Sequence, residues 1–295
     1  MMKHTKNHTT MLLRGLQYLP IGIGLLLAVE MMRIWPDLPY YYGADAVIDA
    51  AIAAHWRTGV GWSLSEVLFH FPQLSVQLIA LLYITLCLLL CWPPTVRASA
   101  FVLLFIHQAF FLSETSWSYG VDYLAQTGLF ISVLFYPGSD KTAAHHRWSL
   151  MGIRLLQCQL VVVYFFGGLG KLFGESWWNG TGIWKAIHQP FSGELLSAPT
   201  FMGSWPYLWM VAGLLTVLIE LLHPIAWLGK RYRHFILYTT IALHMGIGLF
   251  IGLYHFAALM IWYNLCAWYY PYKHTTTTYK RTPLEDNPKR VTSTT

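Results

Sequence analysis

Eight apolar runs follow one another along the chain, over about 12–34, 73–92, 96–113, 119–136, 150–171, 206–228, 234–254 and 256–270. A helix needs roughly 20 predominantly apolar residues to cross a bilayer. The third, fourth and eighth runs are short by that measure, and the others fit it. The pattern predicts an all-α fold, a polytopic membrane helical bundle of about eight transmembrane helices occupying residues 12–270. Residues 1–11 and 271–295 read as short tails, and the second, with HTTTTYK and EDNPKRVTSTT, has no apolar period and is expected to be disordered. Two connections, about 35–72 and 172–205, are long. The second carries Trp177, Trp178, Trp184 and Trp205, which suits segments lying in the interface or dipping back into the membrane.

Composition narrows the class. The 295 residues are 56% apolar and only 11% charged, under half of the roughly 25% charged usual in soluble domains, which excludes an ordinary soluble globular protein. The formal charge of +6 sits in short clusters between apolar runs, so topology accounts for it and no nucleic-acid partner is expected. With the N-terminus inside, Lys3, Lys6, Arg14, Arg97, Lys141, Arg147, Arg154, Lys230, Arg231, Arg233, Lys273, Lys280, Arg281, Lys289 and Arg290 fall on the cytoplasmic side. Arg33, Arg57, Lys171 and Lys185 fall outside, a 15 to 4 division of the 19 basic residues. That asymmetry predicts an inner-membrane protein with both ends cytoplasmic. No small-residue cleavage site follows the basic start, so the first run is expected to be retained. Cys87, Cys91, Cys158 and Cys266 all lie in apolar segments without a C-x-x-C and read as small packing residues.

Ionisable side chains within spans are costly and are therefore functional candidates. On this topology Glu30, Arg33, Glu114, Asp122, Lys171 and His255 gather at the outer face. Glu30 and Arg33, three apart, are expected to pair with each other. Lys171 is the sharpest position because it closes Gly167-Gly168-Leu169-Gly170, small residues that let another helix come close. A desolvated amine there would serve as a general base, whereas a snorkelling one would be an anchor. Midspan lie His107, His244 and the pair Glu220 and His223. Glu-x-x-His puts both side chains on one helical face, but a di-metal bundle needs the motif twice. Hydrogen bonding between helices by neutral histidine is the better reading, and no metal is expected. Arg154 and Gln157, near the cytoplasmic end of the fifth span, are read as structural. No phosphate-binding loop, nucleophile elbow or H-E-x-x-H occurs.

The run from Arg154 through Gln157 to Tyr164, then Gly168, Lys171-Leu172, Gly174, Trp177-Trp178-Asn179-Gly180-Thr181 and Ile183-Trp184, resembles the signature of the HTTM (horizontally transferred transmembrane) domain family, related to the membrane domain of vitamin K-dependent gamma-carboxylase. Tyr42-Gly43-Ala44-Asp45, Trp117-Ser-Tyr-Gly120-Val-Asp122, Glu220-Leu-Leu-His-Pro224 and the stretch from Leu243-His244 through Phe256 to Asn264 agree with it. In the carboxylases the resemblance implies that the lysine matching Lys171 deprotonates a hydroquinone, with His244 matching a helical histidine. Those enzymes carry a histidine where this chain has Gly120-Val121-Asp122, and continue into a large extracytoplasmic domain, whereas here about 25 residues follow the last span. Glutamate carboxylation is therefore not expected. The chain looks more like short bacterial members of the type that assists production of a sporulation-delaying peptide toxin.

Three functions follow as expectations. The first is maturation, modification or export of a secreted peptide or protein, with an outer pocket lined by Glu30, Arg33, Asp122, Lys171, Trp177, Trp178 and His255. The second is a quinol-dependent oxygenase with Lys171 as base and His244 supporting it by hydrogen bonding, for which a quinol or other isoprenoid lipid would be bound. The third is a small-molecule transporter or channel, disfavoured because no inverted repeat of broken helices is evident.

Overall fold

In the computed structural model residues 13–42, 46, 63–71, 74–113, 120–138, 143–188, 195–197 and 200–271 are described, the side chains of 65, 69 and 143–146 excepted. Residues 1–11 and 272–295 of the predicted tails, Glu114, Gly43-Ala44-Asp45 and Trp117-Ser118-Tyr119 lie outside them. Every regular element among the described residues is helical. In order they are α1 (Arg14–Arg33), α2 (Leu38–Tyr42), α3 (Leu64–His70), α4 (Val76–Leu89), α5 (Val96–Ser113), α6 (Gly120–Phe135), α7 (Ala143–Leu172), α8 (Glu175–Trp178), α9 (Thr181–Ile187), α10 (Pro206–Leu221), α11 (Lys230–Gly246) and α12 (Tyr254–Asn264). Helices α11 and α12 each run on into a π-helical turn, Ile247–Ile251 and Leu265–Tyr269.

Among the described residues, four helical segments are long and apolar enough to cross a membrane: Arg14–Arg33, Val96–Ser113, Arg147–Leu172 and Lys230–Ile251. Val76–Leu89, Gly120–Phe135 and Pro206–Leu221 are shorter apolar helices. Large apolar side chains stand exposed along them, among them Leu78, Leu82, Phe105, Tyr123, Phe166 and Tyr238. A water-facing surface seldom carries so many, so the molecule is compatible with a membrane protein.

Helix α1 is the hub, packing against α4, α6 and α12 through the fully buried Leu19 and Ile23. Glycine makes this possible. A Cβ on Gly24 would press on Leu90 at 3.1 Å and on the Cys87 carbonyl, one on Gly22 would enter the Trp262 indole, and one on Gly128 of α6 would overlap the Tyr263 hydroxyl. Lipid is as apolar as leucine, so helices there are held by close approach and by polar contacts between them. Helices α5 and α6 pack as a hairpin. At its far end Arg97 Nη2 and Trp148 Nε1 donate to the carbonyls of Tyr136 and Leu134, both at 2.8 Å, which satisfies acceptors that a helix C-terminus leaves open.

The end of α12 is tied in differently. The buried Gln157 of α7 donates from Nε2 to the Ala267 carbonyl at 2.9 Å, inside the π-helical turn, and accepts from Arg154 Nη1 at 3.1 Å. Arg154 itself is exposed, so it serves the bundle by holding Gln157. Tyr263, wholly buried, donates to the Leu124 carbonyl at 2.6 Å. All four cysteines are free, Cys87 and Cys266 buried, Cys91 and Cys158 exposed.

Candidate functional site

Two polar groupings interrupt this apolar interior. The first is built on one face of α7. Tyr164, Gly167, Gly168 and Lys171 recur at spacings of three, one and three, so they line up along the helix. Helix α10 lies on that face because Gly168 has no side chain: a Cβ there would meet Glu220 Cβ at 2.9 Å and the Leu221 nitrogen at 3.0 Å. The close approach delivers Glu220 to Lys171. Lys171 Nζ donates to Oε2 at 2.8 Å and Oε1 at 3.1 Å, and lies 5.3 Å from the centre of the Trp177 ring. The Lys171 side chain is 26% exposed and that of Glu220 10%.

This contact revises the expected depths. The apolar pattern sets Lys171 at the outer end of its span and Glu220 in the middle of another, yet a 2.8 Å bond puts them at one level. The reason is the path of the chain after Lys171. Backbone approaches of α8 to Gly213, and of Gly180 to Trp209 and Met210, show α8 and the start of α9 climbing along α10 toward Pro206. Fourteen residues separate Pro206 from Glu220, about 21 Å of helix, so a thick layer of protein continues beyond the lysine.

Below the ion pair, Glu220-x-x-His223 places His223 at the opening of a 3-10 turn, His223–Trp227, where its ring stacks on Tyr164 with centres 4.2 Å apart. Asn264 of α12 joins the group: its Nδ2 donates to Tyr164 Oη at 2.7 Å and to the Met260 carbonyl at 2.9 Å, while its Oδ1 faces His223 Nε2 at 3.3 Å. His244 Nε2 is 2.8 Å from Tyr164 Oη. Protons can be assigned from these contacts. The asparagine amide donates to Tyr164, so the hydroxyl proton goes to His244 Nε2, and Asn264 Oδ1 accepts from His223 Nε2. His244 thus bonds to Tyr164 and not to Lys171, in contrast to the supporting role the oxygenase expectation gave it.

The second grouping lines an open cavity of about 340 Å³ between α1, α2, α4, α5 and α6. Glu30, Arg33, Asp37, Asp122, His107 and Tyr83 supply its polar wall, with Tyr41, Tyr42, Phe110 and Phe111 as its aromatic part. His107 is positioned by both neighbours: Tyr83 Oη lies 2.9 Å from Nδ1, and the Asp122 carbonyl oxygen 3.4 Å from Nε2. That carbonyl only accepts, so Nε2 carries the proton and Nδ1 accepts from Tyr83. The Asp122 carboxylate is 3.9 Å from the same nitrogen. Glu30 and Arg33, expected to pair, form no ion pair with each other; among the described residues the Glu30 carboxylate has neither a hydrogen bond nor an ion pair.

The residues expected to share one outer pocket are therefore divided. Glu30, Arg33 and Asp122 line the cavity, together with His107. Lys171 and Trp177 belong with Glu220 on α7, α8 and α10. Trp178 is 46% exposed and donates to the Leu172 carbonyl at 2.6 Å, closing the end of α7. His255, half-buried at the start of α12, is not part of the cavity wall. Tyr83 anchors His107 in the cavity grouping, and Tyr164 and Asn264 anchor the histidines of the other; the sequence reading gives none of the three a role. Tyr164 lies two turns before Lys171 on the same face, and Asn264 is a lone amide in an apolar helix, which are the signals that point to them. No set of three or more His, Cys, Asp or Glu side chains among the described residues is arranged to hold a metal ion. No protein-family model, curated protein or solved structure matches this chain.

Proposed function

We propose that this chain is a polytopic inner-membrane protein of the HTTM type, with about eight spans and both ends cytoplasmic. In this reading it assists the maturation, modification or export of a secreted peptide or protein. The observation that carries the reading is the cavity between α1, α2, α4, α5 and α6: a volume of about 340 Å³ with a charged wall. Ligand sites are commonly of about 300–1,000 Å³ and combine apolar lining with a few placed polar groups. An apolar surface of the kind seen on α4, α5 and α7 keeps the molecule in lipid, where the cavity can receive a part of a client that is itself amphipathic.

Two measurements test this. Washing membranes with alkaline carbonate should leave the protein in the pellet, and release into the supernatant would end the membrane reading. Mass spectrometry of peptides secreted by cells with and without the gene should show one product lost or changed in mass. An unchanged set would end the maturation reading.

A second reading, a quinol-dependent oxygenase with Lys171 as base, is favoured by one contact. Lys171 donates to Glu220 at 2.8 Å, so that carboxylate is placed to take the ammonium proton first and leave a neutral amine to accept one from the quinol. Quinol-dependent oxygen uptake by the purified protein, abolished in Lys171→Ala, is its expected result; equal uptake by both proteins excludes Lys171 as the base.

A further inference from the structure

We propose that the cavity between α1, α2, α4, α5 and α6 binds an organic cation, a primary ammonium or guanidinium carried on an aromatic or aliphatic body. The inference rests on the reading of that cavity as the ligand site. Among the described residues its wall holds three carboxylates, Glu30, Asp37 and Asp122, against one guanidinium, Arg33. His107 supplies no compensating charge in the arrangement found, because Tyr83 and the Asp122 carbonyl satisfy both ring nitrogens without a second proton. Glu30 is the telling group. It is half-buried, it faces the cavity, and its carboxylate is without a hydrogen bond or ion pair among the described residues. A carboxylate withdrawn from water takes up a proton unless a cation sits beside it; Arg33 acts on Glu30 only from beyond ion-pair distance, and the side that remains open to a closer cation is the cavity.

The rest of the wall matches the other half of such a ligand. Tyr41, Tyr42, Tyr83, Phe110 and Phe111 present ring surface, and aromatic faces attract ammonium and guanidinium groups as well as apolar bodies. An anion would meet the excess of carboxylates, and a neutral ligand would leave Glu30 as it is.

The test uses the full chain in phosphatidylcholine nanodiscs and equilibrium binding of labelled 2-phenylethylammonium. The ammonium should bind at least about tenfold more tightly than 2-phenylethanol, which has the same body without the charge, and 3-phenylpropionate should bind weakest. Glu30→Gln and Asp122→Asn should each weaken the ammonium by about tenfold. Arg33→Gln should tighten it, a gain that misfolding could not produce. Equal or tighter binding of the alcohol or the carboxylate by the wild-type protein overturns the proposal. Because that order is measured on protein already retained in lipid, its failure is distinct from failure of the membrane reading, which the carbonate wash reports. Displacement of the probe by lysyl-phenylalanine amide points to a peptide as the source of the cation, and displacement by short-chain phosphatidylethanolamine to a lipid amine.

Discussion

The grouping around Lys171 and the grouping around Glu30 use the same residue types and reach opposite outcomes. Around Lys171 the polar groups are matched in two adjoining sets, Lys171 with Glu220, and Tyr164 with His244 and with Asn264, which also meets His223. Around Glu30, Tyr83, His107 and Asp122 bond together, but the glutamate stands apart at the edge of open space. The difference comes from helix spacing. Gly168 brings α10 onto α7 at the level of the ion pair, whereas Glu30, near the end of α1, faces a cavity walled by tyrosine and phenylalanine. A closed polar cluster contributes to the stability of the bundle. An open one with an unmatched charge is built for something outside the chain.

Substitutions should separate the two. The largest loss is expected from Glu220→Leu, which strands the Lys171 ammonium. Removing one partner of a buried pair costs about 3–5 kcal/mol, and partial exposure of Lys171 lowers this to roughly 2–4 kcal/mol. Reversible unfolding in mixed micelles would measure it, and Lys171→Met in the same molecule should recover most of the loss. Asn264→Leu should cost roughly 1–3 kcal/mol, since it leaves His223 without a hydrogen bond and Tyr164 with His244 alone; a loss no larger than that of an exposed leucine change would show that the network is not cooperative. Gly168→Ala should cost about 1–3 kcal/mol by overpacking against Glu220. Gly170→Ala, where a Cβ meets nothing within 4 Å, should stabilise by up to about 1 kcal/mol through helix propensity. Thermal stability of the two alanine variants side by side checks whether closeness to α10 is what matters. The smallest effect belongs to Glu30→Gln, within about 0.5 kcal/mol of wild type, because no partner is lost. A large destabilisation there would erase the contrast between the clusters.

Much of this architecture was readable before any coordinates. The apolar runs became helices, and the glycines before Lys171 do bring a second helix near its amine, as expected of small residues at a helix contact. What could not be read was the partner. Lys171 and Glu220 are 49 positions apart, and matching helix ends to a membrane boundary set them at different depths. Residues 172–205 read as a segment lying in the interface or dipping back into the membrane, and the pattern does not show that α8 and the start of α9 run along α10. Outer-face residues were likewise grouped by depth alone. Depth does not distinguish Lys171 from Glu30, because two side chains at one level can sit on helices that face different neighbours.

The sequence by itself determined the helical class and the lipid-compatible character of the chain, because a shortage of charge and long apolar runs leave few other ways to satisfy the backbone. It also determined which side chains were too costly to be incidental. Only the tertiary structure decided which of them meet, since an ion pair or a cavity depends on how helices are rotated and spaced. Here those rotations are fixed by contacts between residues far apart in the chain, such as Gly168 against Glu220 and Tyr164 against Asn264.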